Sequence, residues 1–369
     1  MDRPPVDRSQ IHFAVPGSIQ RKTGGYGYDR RLIKGLRNRG RDVRLHELEG
    51  RFPLTDASAL SAATDLIDSA PDGATLIIDG LALPAFESQI ERAGSRLCII
   101  ALVHHLLADE TSLDSADRRA LGVVETQCLV ALRHVIVTSP ATVISVLRIG
   151  VPHENISVVE PGTDSVPSTM IPEHALTGPM QLLSVGALIP RKGHRILIRA
   201  LAACRALEWR LTIAGSLSAD STTTADIRAL IDREGLTDRI HLAGEIDALR
   251  LHDEYRRADL FVLASEFEGY GMAFAEALAH GLPIVGSGAG AVADTVPKEC
   301  GLLVPVGDTA ALTTALEQLM TDAPLRRRLA AGAVRAGTRL PSWETTVTKF
   351  DAALDAALDA AVTAPAVTV

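Results

Sequence analysis

Short apolar runs alternate with amphipathic stretches of helical periodicity along the whole chain. An apolar run of about four to eight residues, closed by turn formers, is typical of a parallel strand covered on both faces. The predicted strands of the first half are Gln10–Val15, Asp42–Leu48, Ala74–Asp79, Arg96–Val103, Val135–Thr138 and Asn155–Val159. Those of the second half are Met180–Val185, Trp209–Ala214, Ile240–Ala243, Ala258–Leu263, Pro283–Gly286 and Gly301–Val304. The two sets predict an α/β protein with two Rossmann-like, doubly wound domains.

Turn-forming residues separate the two sets of strands. The segment Pro161–Pro172 is rich in proline, glycine and small polar residues, and we interpret it as the linker between the domains. The predicted domains are residues 1–165 and residues 173–340. A final amphipathic helix beginning near Trp343 carries Phe350 and Leu354, so residues 341–369 are predicted as a C-terminal helical element whose last six residues are frayed.

Length and composition describe an ordinary folded protein. A chain of 369 residues exceeds the roughly 250–300 beyond which cores split, and 47% of it is hydrophobic. The net charge of −8 argues against electrostatic binding of nucleic acid. No apolar run approaches the roughly 20 residues of a membrane span, and the first residues lack a hydrophobic signal segment. The four cysteines show neither metal-ligand nor disulfide spacing, so we expect a cytoplasmic protein.

The most informative run lies after the predicted strand Ala258–Leu263. It reads Ser-Glu-Phe-Glu-Gly-Tyr-Gly-Met-Ala-Phe-Ala-Glu and places Glu268 in a loop and Glu276 in a helix that begins at Met272. The first N–H groups of a helix lack intrahelical partners, so a strand, a glycine-rich loop and a helix start often bind anions. Taken alone, a carboxylate near a helix start could simply complement the helix dipole.

This run resembles the Glu-x7-Glu signature of the retaining family-four glycosyltransferases, which have the GT-B fold. The resemblance implies that Glu268 contacts a donor sugar and that Glu276 contacts the ribose of a nucleotide. It also implies an acceptor-binding N-terminal domain that faces a nucleotide-sugar-binding C-terminal domain across a cleft, with the last helix crossing back to the N-terminal domain.

Two cations follow the first strand of the second domain. Arg191 and Lys192 stand after Gly186 in a turn, which suits a diphosphate because it needs several positive donors at once. The run resembles the family's Gly-Arg-Leu-x-x-x-Lys-Gly motif, in which Lys192 matches the lysine. Ala187 occupies the usual arginine position, so Arg191 is a candidate to supply that charge from a neighbouring position.

Further donor contacts are predicted around this pair. The candidate donor-binding residues are Gly25, Gly186, Gly215, Ile246, Gly271, Met272, Ala273 and Glu276. Helix-start amides at Met272 and Ala273 are expected to hold the distal phosphate. Asp-x-Asp, the usual metal-binding sequence of metal-dependent sugar transferases, does not occur in the chain. The sequence therefore predicts no cofactor and no catalytic metal.

The first domain contributes a glycine-rich segment and two histidines. Gly24, Gly25 and Gly27 are interpreted as a loop before a helix from Tyr28 to Asn38, similar to the family's Gly-Gly loop. His104 ends a predicted strand, where ligands of open α/β sheets bind, and matches a family position near the donor sugar. Tyr26, His105 and Thr138 are candidate acceptor contacts, although a structural histidine or a helix cap would explain the same residue types.

Basic residues concentrate between Arg21 and Arg51, with ten Lys or Arg against four acids. A solvated helix face explains this excess, and a patch for an anionic acceptor or a membrane surface is the alternative.

The predicted function is that of a retaining, metal-independent glycosyltransferase using a UDP- or GDP-linked hexose, cytoplasmic or peripheral at the inner membrane face. An epimerase or hydrolase of the same fold and a non-catalytic nucleotide-sugar-binding protein remain alternatives.

Overall fold

The computed structural model describes residues 10–111, 113–167 and 178–363, with side chains through residue 359. The first nine residues, the C-terminal end of the predicted linker and the predicted frayed end at 364–369 lie outside the described residues. The chain divides into two compact units. Within the described residues, unit 1 comprises residues 10–21, 25–162 and 343–363, and unit 2 comprises residues 22–24, 163–167 and 178–342.

Unit 1 contains a parallel sheet of six strands in the order β2-β1-β3-β4-β5-β6. Its strands are β1 (Gln10–Pro16), β2 (Asp42–Leu48), β3 (Thr75–Asp79), β4 (Cys98–Val103), β5 (His134–Val137) and β6 (Ile156–Val158). Strands β3, β4 and β5 are buried along their whole length, since helices cover both faces of the sheet. The strand order reverses between β1 and β3, which is where ligands of such sheets bind.

Unit 2 repeats this architecture with the order β12-β11-β10-β7-β8-β9. Its strands are β7 (Met180–Val185), β8 (Trp209–Ala214), β9 (Ile240–Gly244), β10 (Leu260–Leu263), β11 (Ile284–Ser287) and β12 (Gly301–Val304). Here the order reverses between β7 and β10, so the loops that follow these two strands lie at the ligand-binding edge. All twelve predicted strands are present, four of them with the predicted bounds.

Helices connect the strands of both units. Those before β7 are α1 (Gly24–Asn38), α2 (Ala57–Ser69), α3 (Ile90–Gly94), α4 (Ser115–Ala131) and α5 (Pro140–Arg148). Those after β7 are α6 (His194–Ala203), α7 (Ser221–Arg233), α8 (Ala248–Arg257), α9 (Met272–Ala279), α10 (Val292–Thr295), α11 (Thr309–Thr321), α12 (Ala323–Gly337) and α13 (Trp343–Thr363). Side-chain oxygens accept hydrogen bonds from free first-turn amides at seven helix starts. These capping residues are Asp56, Asp114, Ser139, Asp220, Asp247, Asp308 and Asp322.

Helix α13 belongs to unit 1, although unit 2 precedes it in the chain. The Thr346 hydroxyl donates to the carbonyl of Glu160, and Arg41 binds Asp351 and Asp355 at 2.8 and 2.7 Å. Phe350 and Leu354 are buried, as the apolar pattern predicts. This helix therefore packs as part of the first unit's fold.

The start of α1 differs from the sequence prediction. The prediction placed a flexible loop at residues 24–27 and a helix from Tyr28, whereas the helix begins at Gly24. Glycine costs about 1 kcal/mol per helical position, but tertiary packing overrides that preference here. Tyr26 and Tyr28 are buried, and a Cβ at Gly25 would lie 3.3 Å from the His104 ring. The absent side chain thus lets the helix and His104 approach closely.

Among the described residues, no helix combines the length and apolar character needed to cross a bilayer.

Candidate active site

The loops after β7 and β10 bring two predicted residues of unit 2 into direct contact. Lys192 Nζ lies 2.7 Å from Glu268 Oε1, and the same oxygen accepts a hydrogen bond of 2.6 Å from the Ser265 hydroxyl. Glu268 is only 6% exposed and Ser265 is fully buried. The glutamate is therefore held in one orientation at the point where the strand order reverses.

The charge state of Glu268 follows from its neighbours. Burial alone would raise the pKa of this carboxyl, but the charges of Lys192 and Arg191 outweigh burial and lower it below its usual value. Glu268 is therefore a carboxylate at neutral pH, with cations beside it. This pairing also explains how a buried carboxylate is tolerated away from water.

Arg191 is anchored by the loop that carries Glu268. Its Nη1 donates to the carbonyl of Phe267 at 3.0 Å and lies 3.7 Å from Glu268 Oε2. The backbone carbonyl of Arg191 also accepts from the amide of Glu266. Both cations of the predicted motif thus lie at the Glu268 carboxylate, while Ala187 occupies the position of the family arginine.

Glycines allow the loops of this site to approach one another. Gly193, the residue before α6, has φ +63°, and a Cβ there would overlap the carbonyl oxygen of Ala264. A Cβ at Gly215 would likewise overlap the carbonyl oxygen of Gly186. A Cβ at Gly186 would lie 3.1 Å from the Lys192 side chain, so a larger residue there would push the lysine away. The lack of a side chain at these glycines therefore leaves the room that Lys192 and its loop occupy.

Glu276 occupies the second turn of α9 and has different partners. The buried Tyr255 hydroxyl donates to Glu276 Oε2 at 2.8 Å, and the Tyr255 ring stacks on His280 with centroids 4.7 Å apart. Glu276 itself is half-buried. Its carboxylate is therefore oriented from one side by the protein and partly open to solvent.

The remaining donor-binding candidates surround the ligand-binding edge of unit 2. Gly271, with φ +92°, precedes α9, so Met272 and Ala273 supply the first amides of that helix. Gly215 follows β8, and the half-buried Ile246 follows β9. The structure places these residues in the loops expected of them, and their ligand contacts stay predictions.

His104 of unit 1 lies between two carboxylates that the sequence analysis did not select. Its Nε2 atom is 3.3 Å from Asp29 Oδ1 and 3.3 Å from Asp79 Oδ2. Asp29 comes from α1 and Asp79 ends β3, so both lie where the strand order of unit 1 reverses. Both aspartates are buried, and the His104 side chain is 18% exposed.

The acceptor candidates of unit 1 have structural partners. The buried Tyr26 hydroxyl donates to the carbonyl of Pro16, and burial raises its pKa to about 12. The Thr138 hydroxyl donates to the carbonyl of His104, and His105 Nε2 lies 3.4 Å from Glu110 Oε2. The neighbouring Ser139, rather than Thr138, caps α5. Acceptor roles for these residues stay predictions.

Several arginines of the basic stretch are used within unit 1. Arg37 donates to the carbonyl of Val43, Arg39 and Arg41 bind acids of α13, and Arg30 donates to the carbonyls of Ile19 and Arg21. The expected solvated face thus describes exposed residues such as Arg44 and Arg51, whereas Arg37 and Arg41 are used in packing, and binding of an anionic acceptor or membrane stays a prediction.

Some of the residues that the sequence analysis missed could have been found by a sequence rule, and others could not. Asp79 ends a predicted strand, the same position that selected His104, so this rule could have found it. Ser265 precedes Glu268 by three residues in the informative run. Asp29 and Tyr255 lie inside helices at unremarkable positions, and only tertiary structure brings Asp29 to His104 and Tyr255 to Glu276.

Comparison with known proteins identifies the class. Residues 169–335 match the family model described as glycosyl transferases group 1. The family resemblance is confirmed for this part of the chain, whereas the Glu268–Glu276 spacing as the family's signature stays a prediction. A D-inositol 3-phosphate glycosyltransferase of Xylanimonas cellulosilytica is 33% identical over 205 residues, which are 52% of this chain and 49% of the relative. The chain spans about half the length of the curated relatives it matches.

Solved structures extend the similarity to both units. Sucrose-phosphate synthase from Thermosynechococcus elongatus aligns with a TM-score of 0.78 and 23% identity, over 93% of this chain and 97% of that one. Anabaena HepE in complex with UDP and glucose aligns with a TM-score of 0.74 and 18% identity, over 94% of this chain and 99% of that one. The predicted fold class, GT-B with two Rossmann-like domains, is confirmed.

Proposed function

We propose that the protein is a retaining, metal-independent glycosyltransferase that moves a hexose from a UDP- or GDP-linked donor to an acceptor hydroxyl. The observation that carries this proposal is the contact of Lys192, Arg191 and Ser265 with the buried Glu268 carboxylate in the family-matched part of the chain. The names of several relatives support the class, since they are glycosyltransferases and mannosyltransferases. HepE, solved with UDP and glucose, supports a nucleotide-sugar donor.

A nucleotide sugar offers partners to both members of the Lys192–Glu268 pair. The lysine would turn to a diphosphate oxygen, while Glu268 would accept hydrogen bonds from sugar hydroxyls. Glu276, oriented by Tyr255 and partly open, suits the two hydroxyls of a ribose. The ion pair would thus keep both groups charged and in place until a donor enters.

Group transfer would proceed at the anomeric carbon. The bond from that carbon to the diphosphate oxygen breaks, a bond to the acceptor oxygen forms on the same face, and the acceptor proton passes to the departing diphosphate. Lys192, Arg191 and the first amides of α9 would stabilise the developing negative charge, which preorganised donors do most effectively where water is excluded. This front-face route gives retention of configuration without a protein nucleophile.

The donor is identified by a thermal-shift screen with UDP-, GDP- and ADP-sugars. A ligand at about 100 times its dissociation constant adds about 2.7 kcal/mol of stability, so the preferred nucleotide should stand out. Mass spectrometry of reactions with candidate acceptors then detects a hexose mass increment on the acceptor. The proposal fails if no nucleotide sugar stabilises the protein. Stabilisation without turnover would favour a nucleotide-sugar-binding protein, and donor breakdown without transfer would favour a hydrolase.

Independence of metal is a further part of the proposal. The positive groups around Glu268 would take the role that Mg²⁺ or Mn²⁺ has in metal-dependent transferases. Transfer should therefore keep its rate after dialysis against EDTA and should not rise when Mg²⁺ or Mn²⁺ is restored. Loss of activity that returns with Mn²⁺ would contradict metal independence while leaving the transferase assignment intact.

The acceptor and the location are proposed from weaker observations. We assign acceptor binding to unit 1, because the donor residues proposed above lie in unit 2.

Peripheral contact with anionic membranes through exposed cations such as Arg44 and Arg51 is testable by sedimentation with phosphatidylserine vesicles. Lack of binding at low salt would remove that assignment.

A further inference from the structure

The Nε2 atom of His104 lies beside two buried carboxylates, those of Asp29 and Asp79. Nε2 is buried and lies 3.3 Å from Asp29 Oδ1 and 3.3 Å from Asp79 Oδ2, within ion-pair distance of both but without hydrogen-bond geometry to either. The other oxygen of Asp79 accepts the amide of Leu81 at 2.8 Å, which fixes the orientation of that carboxylate. Neither oxygen of Asp29 has a hydrogen-bond partner among the described residues, although Oδ1 is within ion-pair distance of His104.

Among the described groups, the charges that act on the His104 ring are those of Asp29 and Asp79. From α1 the ring meets Asp29, Gly25 and the edge of Tyr28, whose centroid is 5.5 Å away. Asp79 approaches from β3, and Thr138 donates to the His104 backbone after β5. Tyr26, also on α1, is neutral because burial raises its pKa to about 12, and Arg21 lies over its ring at 5.8 Å.

The electrostatic balance follows from these neighbours. Burial alone would lower the pKa of His104, but the two aspartates overcome burial and raise it to about 10. Burial raises the pKa of Asp29 to about 6 against the opposing effect of His104, so Asp29 still ionises at neutral pH. A buried carboxylate without a nearby positive charge would be costly, and a charged imidazole supplies that charge.

We propose that Asp29 and Asp79 are positioning residues that keep His104 as an imidazolium, with Nε2–H directed at the carboxylates and Nδ1–H left to donate to a ligand oxygen. A neutral imidazole with its proton on Nε2 would present an accepting lone pair at Nδ1 instead. The two carboxylates thus decide that His104 donates a hydrogen bond and cannot accept the proton of an acceptor hydroxyl.

The catalytic consequence rests on the proposed function. The ligand oxygen that Nδ1–H recognises is a hydroxyl of the sugar or an oxygen of the phosphate, since both accept hydrogen bonds. His104 would then stabilise the transferring group, and proton transfer would be left to the departing diphosphate. The protonation state itself can be measured without any activity.

The first experiment follows the His104 ring by NMR in protein labelled with ¹⁵N-histidine, assigned with His104→Gln. We expect both ring nitrogens of the wild type to carry protons from about pH 6 to about pH 8.5. In Asp29→Asn and in Asp79→Asn, the pKa of His104 should fall by about 1 to 3, because one nearby opposite charge shifts a pKa by that much. Asp42→Asn, an exposed aspartate of the same unit, is the matched control and should leave the titration unchanged.

A neutral His104 at neutral pH, or an unchanged titration in both aspartate variants, would overturn the proposal. Stoichiometric Zn²⁺ retained after dialysis and lost in Asp79→Asn would also overturn it, since the carboxylates would then hold a metal ion. Two separate variants keep the test valid if one of them fails to fold.

The second experiment measures transfer against pH. Asp79→Asn should lose kcat as pH rises through the lowered pKa of His104, whereas the wild type should keep its rate in that range. Identical pH profiles of the two proteins would overturn the catalytic role. If no transfer occurs at all, the proposed function fails while the NMR titration still decides the charge state.

Discussion

The two glutamates of the informative run differ in burial and in partners, and these differences separate their roles. Glu268 is almost fully buried and touches two cations and a hydroxyl, whereas Glu276 is half-buried and has a tyrosine partner. A carboxylate with two adjacent cations lies where negative charge would be stabilised during transfer. One that points partly to solvent suits binding of a neutral ribose.

Removal of each carboxylate should therefore change different kinetic constants. Glu276→Ala should raise KM for the donor and leave kcat nearly unchanged, because a ribose contact exists equally in the ground state and the transition state. Glu268→Gln should lower kcat by at least about tenfold, or about 1.4 kcal/mol. Steady-state kinetics with varied donor measures both. Glu245→Gln, at an exposed site of the same unit, is the control, and full turnover by both site variants would remove the assigned site.

The cations test whether Arg191 replaces the arginine that Ala187 does not supply. Lys192→Ala and Arg191→Ala should each reduce kcat by at least about tenfold if both stabilise the leaving diphosphate. Arg195→Ala is the matched control, since this arginine is half-exposed and pairs with Asp226 on the surface. Normal kinetics of the Arg191 variant would show that this residue only anchors the loop through Phe267.

At the residue scale, sequence alone predicts side chains that sit in a recognisable run. Glu268, Glu276 and Lys192 were predicted because strand, loop and helix signals placed them at the edge of one sheet. Asp29 and Tyr255 could not be predicted in this way. Each sits inside a helix and reaches its partner only because tertiary packing brings distant parts of the chain together.

At the element scale, the turn between β7 and α6 depends on one glycine. Gly193 adopts φ +63° and leaves no room for a Cβ beside the carbonyl of Ala264. Gly235 adopts nearly the same angle, +66°, but no heavy atom lies within 4 Å of its hypothetical Cβ. The two positions therefore differ in the space available and not in the backbone conformation.

Alanine at these two positions separates steric overlap from backbone strain. Gly235→Ala should lose about 1 to 2 kcal/mol of unfolding free energy, the cost of a left-handed alanine. Gly193→Ala should lose clearly more and should also weaken donor binding, because Lys192 adjoins the turn. Urea denaturation and donor titration measure both effects. Equal losses at the two positions would mean that the β7–α6 turn moves freely to accept a side chain.

Among the secondary-structure elements, sequence patterns predicted the strands but not the start of α1. The presence and order of the strands were predictable because buried parallel strands are continuous apolar runs between turn formers, whereas most strands begin or end one or two residues away from the predicted bounds. The start of α1 was not predictable, because the three glycines at its beginning are typical of a loop. Burial of Tyr26 and Tyr28 and the close approach of His104 to Gly25 compensate the helix penalty, and none of these contacts is visible in the local sequence.

At the scale of the whole molecule, the two units hold their titratable groups differently. Unit 1 contains His104, with a pKa raised to about 10, and Glu125, whose burial raises its pKa to about 8. In unit 2, burial lowers the pKa of His194 and of His280 to about 4, so both are neutral at neutral pH. Between about pH 7 and about pH 8, the described groups that hold protons which the unfolded chain would release are His104 and Glu125 of unit 1. Burial also raises the pKa of Cys204 and of Cys300 in unit 2 to about 11, but these thiols affect stability only at higher pH.

This asymmetry predicts different responses of the two units to alkali. A group with a raised folded pKa stabilises below its unfolded value, and that contribution is lost as pH rises through the folded value. From about pH 7 to about pH 8, the unfolding free energy of unit 1 should fall by about 1 to 2 kcal/mol, and that of unit 2 should stay nearly constant.

The two tryptophans of the chain, Trp209 in unit 2 and Trp343 in unit 1, provide the measurement. Their ¹⁹F resonances, after incorporation of 5-fluorotryptophan, follow each unit separately in urea. Glu125→Gln should reduce the fall of the unfolding free energy of unit 1 with pH, whereas the exposed Glu91→Gln should leave it unchanged. An equal change of unfolding free energy with pH in both units would contradict the prediction.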